Sequence, residues 1–456
     1  MNSTNKQITE GVIWKQILIF FFPILLGTFF QQLYNTLDAV IVGRFVGKVA
    51  LAAVGGPTST LINLLLGFFV GLSSGATVVI AQFFGAEDAN RTGQAVHTSM
   101  ALALATGAVM SVGGALAAPW ALRVTGTPAE VLPHAQAYLQ IYFGGLIFTL
   151  IYNMGSGILR AKGDSKRPFY LLVAGTFINL VLDLLFVVQF GWGAAGVGWA
   201  TVLAQAFCAA AVWVILAREP DAFALSFRHL KFDLPLLVNI VRIGFPAGLQ
   251  ATMYSFSNIV IQSTVNSFGV DTVAAWAAMG KADGLYWMIM AAFGVAITTI
   301  AGQNFGARKY DRVTKSIAVC NGMAFFTTAV ISALLLAFAP QILSVFTSDA
   351  AVVADGVHMM WNMIPWYFTY VLIEIVSGGI RGTGDSFFPT VMTCLGICVF
   401  RLVWVWGVLP FKWNMIMLIW SYPISWTITS VLFAVYYYRS GWLKRSIVRA
   451  GHAPRQ

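Results

Sequence analysis

The sequence predicts an all-α integral membrane protein in which about twelve transmembrane helices form two six-helix, pseudo-symmetric lobes around a central cleft. Three observations predict it. Of 456 residues, 58% are hydrophobic and only 10% are charged, too little polar surface to cover a water-soluble particle of this size. Apolar stretches of about 20 residues, the length a bilayer demands, recur from Trp14 to the aromatic run Tyr436, Tyr437, Tyr438. They are continuous rather than alternating, which implies helices and not the strands of a barrel. The chain also repeats itself at one offset: QFFGAEDANR (Gln82–Arg91) falls on QNFGARKYDR (Gln303–Arg312), and SGILRAKGDSKRP (Ser156–Pro168) falls on SGGIRGTGDSFFP (Ser377–Pro389), each displaced by 221 positions.

The first half divides into spans at about 14–41, 50–80, 95–118, 136–159, 168–189 and 193–217. Pro23 should bend the first of them. The second and third are joined by the FGA loop, and the fourth and fifth by the RAKGDS turn. There Arg160, Gly163 and Asp164 brace a tight connection, as their twins Arg381, Gly384 and Asp385 do in the second half. Pro220, Asp221, Lys231, Asp233 and Pro235 make Arg218–Arg242 the least regular connection; it reads as a linker, either a solvated loop or a short amphipathic helix on the membrane surface. The second half follows with spans at about 236–267, 271–301, 316–340, 358–380, 388–410 and 415–438. The expected organisation is therefore 1–217 as an N-terminal six-helix lobe, 218–242 as a cytoplasmic linker, and 243–456 as a C-terminal six-helix lobe with a cytoplasmic tail.

Basic residues orient the spans. With the N-terminus inside, one face collects Lys6, Lys15, Arg91, Arg160, Lys162, Lys166, Arg167, Arg218, Arg228, Lys231, Arg242, Arg308, Lys309, Arg312, Lys315, Arg381, Arg439, Lys444, Arg445, Arg449 and Arg455. The other face keeps only Arg44, Lys48, Arg123 and Lys412. The positive-inside rule then puts both termini in the cytoplasm and the chain, multi-pass, in the cell inner membrane. The net charge of +10 is membrane-surface charge facing anionic lipid and needs no nucleic acid. No cleavable signal is expected, because the first apolar stretch lacks a small-residue cleavage site and continues into a full span. Cys208, Cys320, Cys394 and Cys398 lie within apolar spans and read as structural thiols.

Chemistry inside a membrane is sought among its ionisable groups, each of which is costly there. Six remain once interfacial residues are set aside: Asp38, Asp183, Lys281, Asp283, Glu374 and Arg401. The second half holds two of each sign, and Lys281, Asp283 and Arg401 read as a structural charge network. The first half holds only Asp38 and Asp183, with no basic partner in its own spans, so a bound cation or a proton is the evident compensation. Asp183 lies about 22 Å along its helix from Pro168 and Asp38 about 35 Å from Lys15, at 1.5 Å per residue, which puts both in the outer half. Asn179 shares the face of Asp183 one turn earlier, and Thr201 reaches the same depth on the next span. Carboxylate, amide and hydroxyl oxygens suit a small hard cation such as sodium, and the carboxylates alone could carry protons. A plainer alternative for Asp38 is a cap of the helix end near Gly43 and Arg44.

Two parallel copies in so apolar a chain are the layout of a transporter that rocks one lobe against the other. The pattern FPILLGTFFQQLYNTLDAVIVGRFVG, the paired FGA loops, RAKGDS with RGTGDS, and NLVLD in the fifth span together resemble the multidrug and toxic compound extrusion (MATE) transporters, over nearly the whole chain. That resemblance implies drug export in exchange for Na+ or H+, without a cofactor. It carries the family's first-lobe cation site onto Asp38, Asn179, Asp183 and Thr201. Some members hold a further acidic site in the second lobe with a Glu in the seventh span, where this chain has Tyr254; Glu374 is left for a related part. Gln31, Tyr34, Asn153, Met253, Tyr254, Asn258, Trp287 and Glu374 are the candidates to line a cleft for amphipathic, often cationic drugs.

A lipid-linked oligosaccharide flippase of the same superfamily is the alternative, and would call for a basic cavity and additional spans. An enzyme is not expected, since His97, His134, His229, His358 and His452 fall at span ends, in loops or in the tail, away from any convergent catalytic set. No filter-like motif points to a channel. The expected partners are drug-like small molecules and membrane lipid, and the expected state is a monomer.

Overall fold

The computed structural model describes residues 8–451; Lys6, His452 and Arg455, named above, lie outside the described residues. Among the described residues, eleven helical segments are long and apolar enough to cross a membrane, and a twelfth span results if Leu132–Gly144 and Leu146–Lys162, bent by 47° to one another, count as one. No strand occurs among them.

In the first half α1 spans Ile13–Phe45, α2 Lys48–Gly55, α3 Pro57–Gly85, α4 Ala89–Val124, α5 Leu132–Gly144, α6 Leu146–Lys162, α7 Lys166–Asp183 and α8 Gly193–Ala217. The second half holds α9 Leu234–Asn266, α10 Val270–Ala282, α11 Gly284–Gly306, α12 Tyr310–Ala337, α13 Ala339–Ser344, α14 Ala350–Met363, α15 Tyr367–Gly382, α16 Phe387–Thr393, α17 Phe400–Val403, α18 Met415–Ile419, α19 Ser421–Arg439 and α20 Trp442–Arg449. Several expected spans are broken rods. The second is divided at Gly56, the eighth at Asp283, and the tenth by a 3₁₀ turn over Ile364–Trp366. The third begins earlier than its apolar stretch because Asp88 caps α4, accepting from the Arg91 N–H at 2.9 Å.

The repeat seen in the sequence is also a repeat of packing. Helix α6 packs on α3, α4 and α8, and α15 packs on α11, α12 and α19 in the same way. At the helix crossings Thr77 Oγ1 donates to the Ser73 carbonyl at 3.0 Å, and its twin Thr298 donates to Gly294 at 2.7 Å. Gly157 and Gly378, also 221 positions apart, each sit where a Cβ would press on that threonine. The FGA turns agree in backbone as well. Glu87 and Arg308 both adopt φ 58°, and in each turn the following N–H groups return to the preceding helix: Asp88 to Phe83 at 3.1 Å and Lys309 to Asn304 at 2.9 Å. Gly163 and Gly384 end α6 and its twin α15 at φ 108° and 91°, left-handed values that favour glycine.

The contacts gather the described residues into two compact units, one made of 22–248 and the other of 8–21 with 249–451. Chain order alone, cutting at 217 and 243, follows a different partition. The first part of α9 belongs to the first unit, where Gly71 and Gly75 of α3 face Gly248 and Gly244 so closely that a Cβ on either would strike the opposite backbone. Two small-x3-small pairs thus let the helices touch main chain to main chain. The first part of α1 belongs to the second unit. Ile17, Phe20 and Phe21 are buried, Phe21 stacks on Phe293 at 4.2 Å, and the preceding turn is held by Lys309 Nζ donating to Thr9 O at 2.9 Å and Arg312 to Glu10 O at 3.1 Å.

The linker is pinned to the first unit. Phe223 and Leu225 are buried, Phe227 stacks on Trp213 at 4.0 Å, and the Ser226 N–H donates to His97 Nε2 at 3.2 Å. Before α9 begins at Leu234, only a 3₁₀ turn over Phe227–His229 forms of the helix considered for this stretch.

Candidate functional site

Three helices of the first unit each present a pair of polar side chains one turn apart, and five of the six side chains, all but Gln205, face one another. Helix α1 contributes Tyr34 and Asp38, α7 contributes Asn179 and Asp183, and α8 contributes Thr201 and Gln205. Asp38 faces Asp183 and Asn179, and the Tyr34 hydroxyl faces Thr201 and Asp38. From α5, Tyr138 and Tyr142 face the same carboxylates. Asp38, Asn179, Asp183 and Thr201 are between 0 and 5% exposed. The four expected cation-site residues are therefore gathered in one place, with Tyr34, assigned from sequence to the cleft, beside them.

Local structure explains the convergence. On α7 a Cβ at Gly175 would fall 2.6 Å from Cys208 Sγ, so the bare glycine lets α8 approach one turn below Asn179. Cys208 donates to the Leu171 carbonyl at 3.4 Å, closing the same crossing. Beyond Asp183 the helix widens into a π segment over Leu184–Gln189, a local re-winding that proteins concentrate at functional positions. Phe186 in that segment stacks on Trp192 at 4.9 Å and packs against Gly196 at the start of α8, which fixes the far end of the pair.

The electrostatics are unusual for a protein interior. Among the described residues no Lys, Arg or His pairs with Asp38 or Asp183. Asp38 Oδ1, both Asp183 oxygens, both Asn179 side-chain atoms, Thr201 Oγ1, Gln205 Oε1 and the Tyr34 hydroxyl are buried without a hydrogen-bond partner among them. Unmet polar atoms in such number are costly, and two ionised carboxylates side by side repel. A small cation coordinated by these oxygens, or a proton shared between the carboxylates, would relieve both penalties at once.

The second unit holds its buried charges differently. Asp283, at the break between α10 and α11, accepts from the Tyr367 hydroxyl at 2.7 Å and from Trp287 Nε1 at 3.2 Å. Arg401 is buried with its guanidinium 3.8 Å from the Tyr422 ring centroid and 5.6 Å from Trp426, and its Nε donates to Ser425 Oγ at 3.3 Å. Lys281 is exposed. The charge network expected of Lys281, Asp283 and Arg401 is thus corrected: among the described residues no ion pair joins them, because aromatic faces and hydroxyls take the places of counter-ions. Glu374 accepts from the Tyr370 hydroxyl at 3.1 Å, lies against Gly294 and faces Arg381; Tyr254 stands beside Tyr370 and Glu374.

The remaining cleft candidates are divided between the two units. Asn153 turns its amide to its own helix, donating to Thr149 O at 2.9 Å. Gln31 and Asn258 are exposed and Met253 is half-buried, while the Trp287 ring sits 5.0 Å from Tyr370. Sequence reasoning missed Tyr138 and Tyr142. The tyrosines carried no signal, being ordinary aromatics of an apolar span.

Comparison with known proteins agrees in one direction. The MatE family profile matches residues 23–185 and 246–406. The probable multidrug resistance protein YoeA of Bacillus subtilis is 29% identical over 453 residues, 96% of each chain. The probable multidrug resistance protein NorM of Thermotoga maritima is 22% identical over 86% of this chain and 84% of its own, and the multidrug export protein MepA of Staphylococcus saprophyticus is 20% identical over 92% and 93%. Among solved structures, MATE in the bent conformation superposes with a TM-score of 0.90 at 22% identity, covering 98% of this chain and 99% of the other.

Proposed function

Since the chain belongs to the MatE family, we propose that it is a secondary active multidrug efflux antiporter, exporting amphipathic, often cationic compounds in exchange for Na+ or H+. The relatives named for multidrug resistance and export support that reading; none of those compared favours an oligosaccharide flippase. The observation that carries the coupling is the pair Asp38 and Asp183, buried together, without a basic partner, among oxygens that have no hydrogen bond. The coupling ion enters this cluster as cargo. When it binds, Tyr34 and Asp38 on α1 are drawn to Asn179 and Asp183 on α7 and to Thr201 on α8. When it leaves, repulsion between the carboxylates loosens α1 from the other two. An exchange of states driven by differential binding of ion and drug is what antiport requires. The orientation follows the basic residues, with the FGA turns and both termini cytoplasmic in the inner membrane.

The test is transport into vesicles under a sodium gradient or a proton gradient imposed separately. One of them should drive drug movement, and Asp38→Asn and Asp183→Asn should each abolish it at unchanged expression, because Asn keeps size and polarity but not ionisation. Glu374→Gln should leave ion binding to the purified protein intact. Normal efflux by either Asp variant, or loss of ion binding in Glu374→Gln alone, would overturn the assignment.

A further inference from the structure

The two copies of the RAKGDS turn are fastened with opposite polarity. In the first unit the cations stand on the turn: Lys162 pairs with Glu219 and, at 2.7 Å, with Asp221, while Arg167 pairs with Asp164 and Glu219. The acids come from the segment that follows α8. Lys162 also lies 5.1 Å from the Phe223 ring centroid. In the second unit Lys162, Lys166 and Arg167 are replaced at the same offset by Thr383, Phe387 and Phe388. The cations have moved to the segment after the last span, α20. Arg449 pairs with Asp385 at 3.6 Å, and the Arg445 guanidinium lies 5.4 Å from Phe388 and 5.3 Å from Tyr436.

The two fasteners differ in what they leave uncompensated. The cations Lys162, Lys166 and Arg167 have Asp164, Glu219 and Asp221 close by in sequence or in contact. Lys444, Arg445 and Arg449 have Asp385 alone, and from Arg439 to the end of the chain no acidic residue occurs. Helix α20 is moored by its other face, with Trp442, Ser446 and Ile447 buried, Trp442 packed on Tyr437 at 5.4 Å and Thr383 Oγ1 donating to Ser446 Oγ at 3.3 Å. Its outward face holds Lys444, Arg445, Val448 and Arg449. Exposed Phe387 and Tyr438 flank it at the same end of the spans.

From this charge and aromatic pattern we infer that α20 with the Thr383–Phe388 turn is a binding surface for anionic phospholipid headgroups of the adjoining leaflet. Only a Ser440–Gly441 turn separates α20 from the membrane-spanning α19, so the cations are held at headgroup depth and the aromatic rings at the boundary with the acyl region. Juxtamembrane Lys and Arg are attracted to an anionic leaflet over a Debye length. Exposed phenyl rings beside the cations favour a lipid surface over an acidic soluble partner. The first unit, its turn cations matched by acids, lacks this surface.

The measurement is the unfolding midpoint of the purified full chain titrated with phosphatidylglycerol or with phosphatidylcholine in mixed micelles. Phosphatidylglycerol should raise the midpoint further, and the increment should shrink as salt is added. Arg439→Gln/Lys444→Gln removes two exposed cations without side-chain partners among the described residues. It should leave the midpoint in phosphatidylcholine unchanged and raise the half-saturating phosphatidylglycerol concentration roughly five-fold per residue. Lys166→Gln, on the first turn, should have no such effect. Equal responses to the two lipids, a full phosphatidylglycerol increment in the double variant, an equal loss in Lys166→Gln, or reproduction of the increment by inorganic phosphate alone would overturn the assignment.

Discussion

At the scale of single residues, backbone strain stands where the two copies coincide. Glu87 and Arg308 hold left-handed backbone with exposed side chains, a conformation costing about 1 kcal/mol or more in a non-glycine residue. Replacing both with glycine should therefore raise the thermal midpoint by roughly 1–2 °C, and an unchanged or lower midpoint in a scanning assay would show that the turns are not strained. The buried pair Asp38 and Asp183 was legible because a charge in an apolar span is conspicuous whatever the fold. Their places along their helices could be counted at 1.5 Å per residue. The partners of Arg401 were not legible, because an aromatic face compensates a guanidinium without any opposite charge appearing in the sequence. Tyr138 and Tyr142 were hidden for the same reason: they differ in no way from aromatics that face lipid.

At the scale of elements, hydropathy located the spans but not their interruptions. The π segment after Asp183 leaves no mark in composition, since it changes the hydrogen-bond register and not the residue types. Gly56 and Asp283 break their helices within stretches that stay apolar enough to read as continuous. The linker shows the opposite failure. Its prolines and charges read as a solvated or amphipathic stretch, yet Phe223 and Leu225 are buried and the Ser226 N–H is taken up by His97. Removing that acceptor in His97→Ala strands a partly buried backbone donor at about 1–3 kcal/mol. Amide hydrogen exchange over 223–226 should then accelerate about ten-fold, and rates equal to the parent's would mean that the linker is held by its aromatic contacts alone.

At the scale of the whole molecule, the two units are not the two halves of the chain. Helices α1 and α9 each contribute one part to each unit, and Pro23 and Pro246 lie within two or three residues of the points where membership changes. A gene cut in the linker, giving fragments 1–232 and 233–456, should yield no stable product from either fragment alone, because the first lacks Gly244 and Gly248 against α3 and the second lacks Ile17 and Phe20. Co-expressed, the fragments should restore drug efflux. Accumulation of folded 233–456 by itself, judged by a monodisperse peak on size exclusion, would show that residues 8–21 are dispensable to the second unit. The repeat made six spans per half legible; the exchange of helix parts was not, because it depends on contacts between residues hundreds of positions apart.

The moored start of the chain also sets a clock. Residues 8–16 hydrogen-bond to positions 304–312, at separations of 296 to 304, so this segment waits for partners made much later. At 5–20 residues per second that interval is on the order of 15–60 s, during which Ile17, Phe20 and Phe21 have no second unit to enter. The amino-terminal turn consequently cannot lock before Asn304–Arg312 has been made, and nascent chains halted before Asn304 would carry it unfastened.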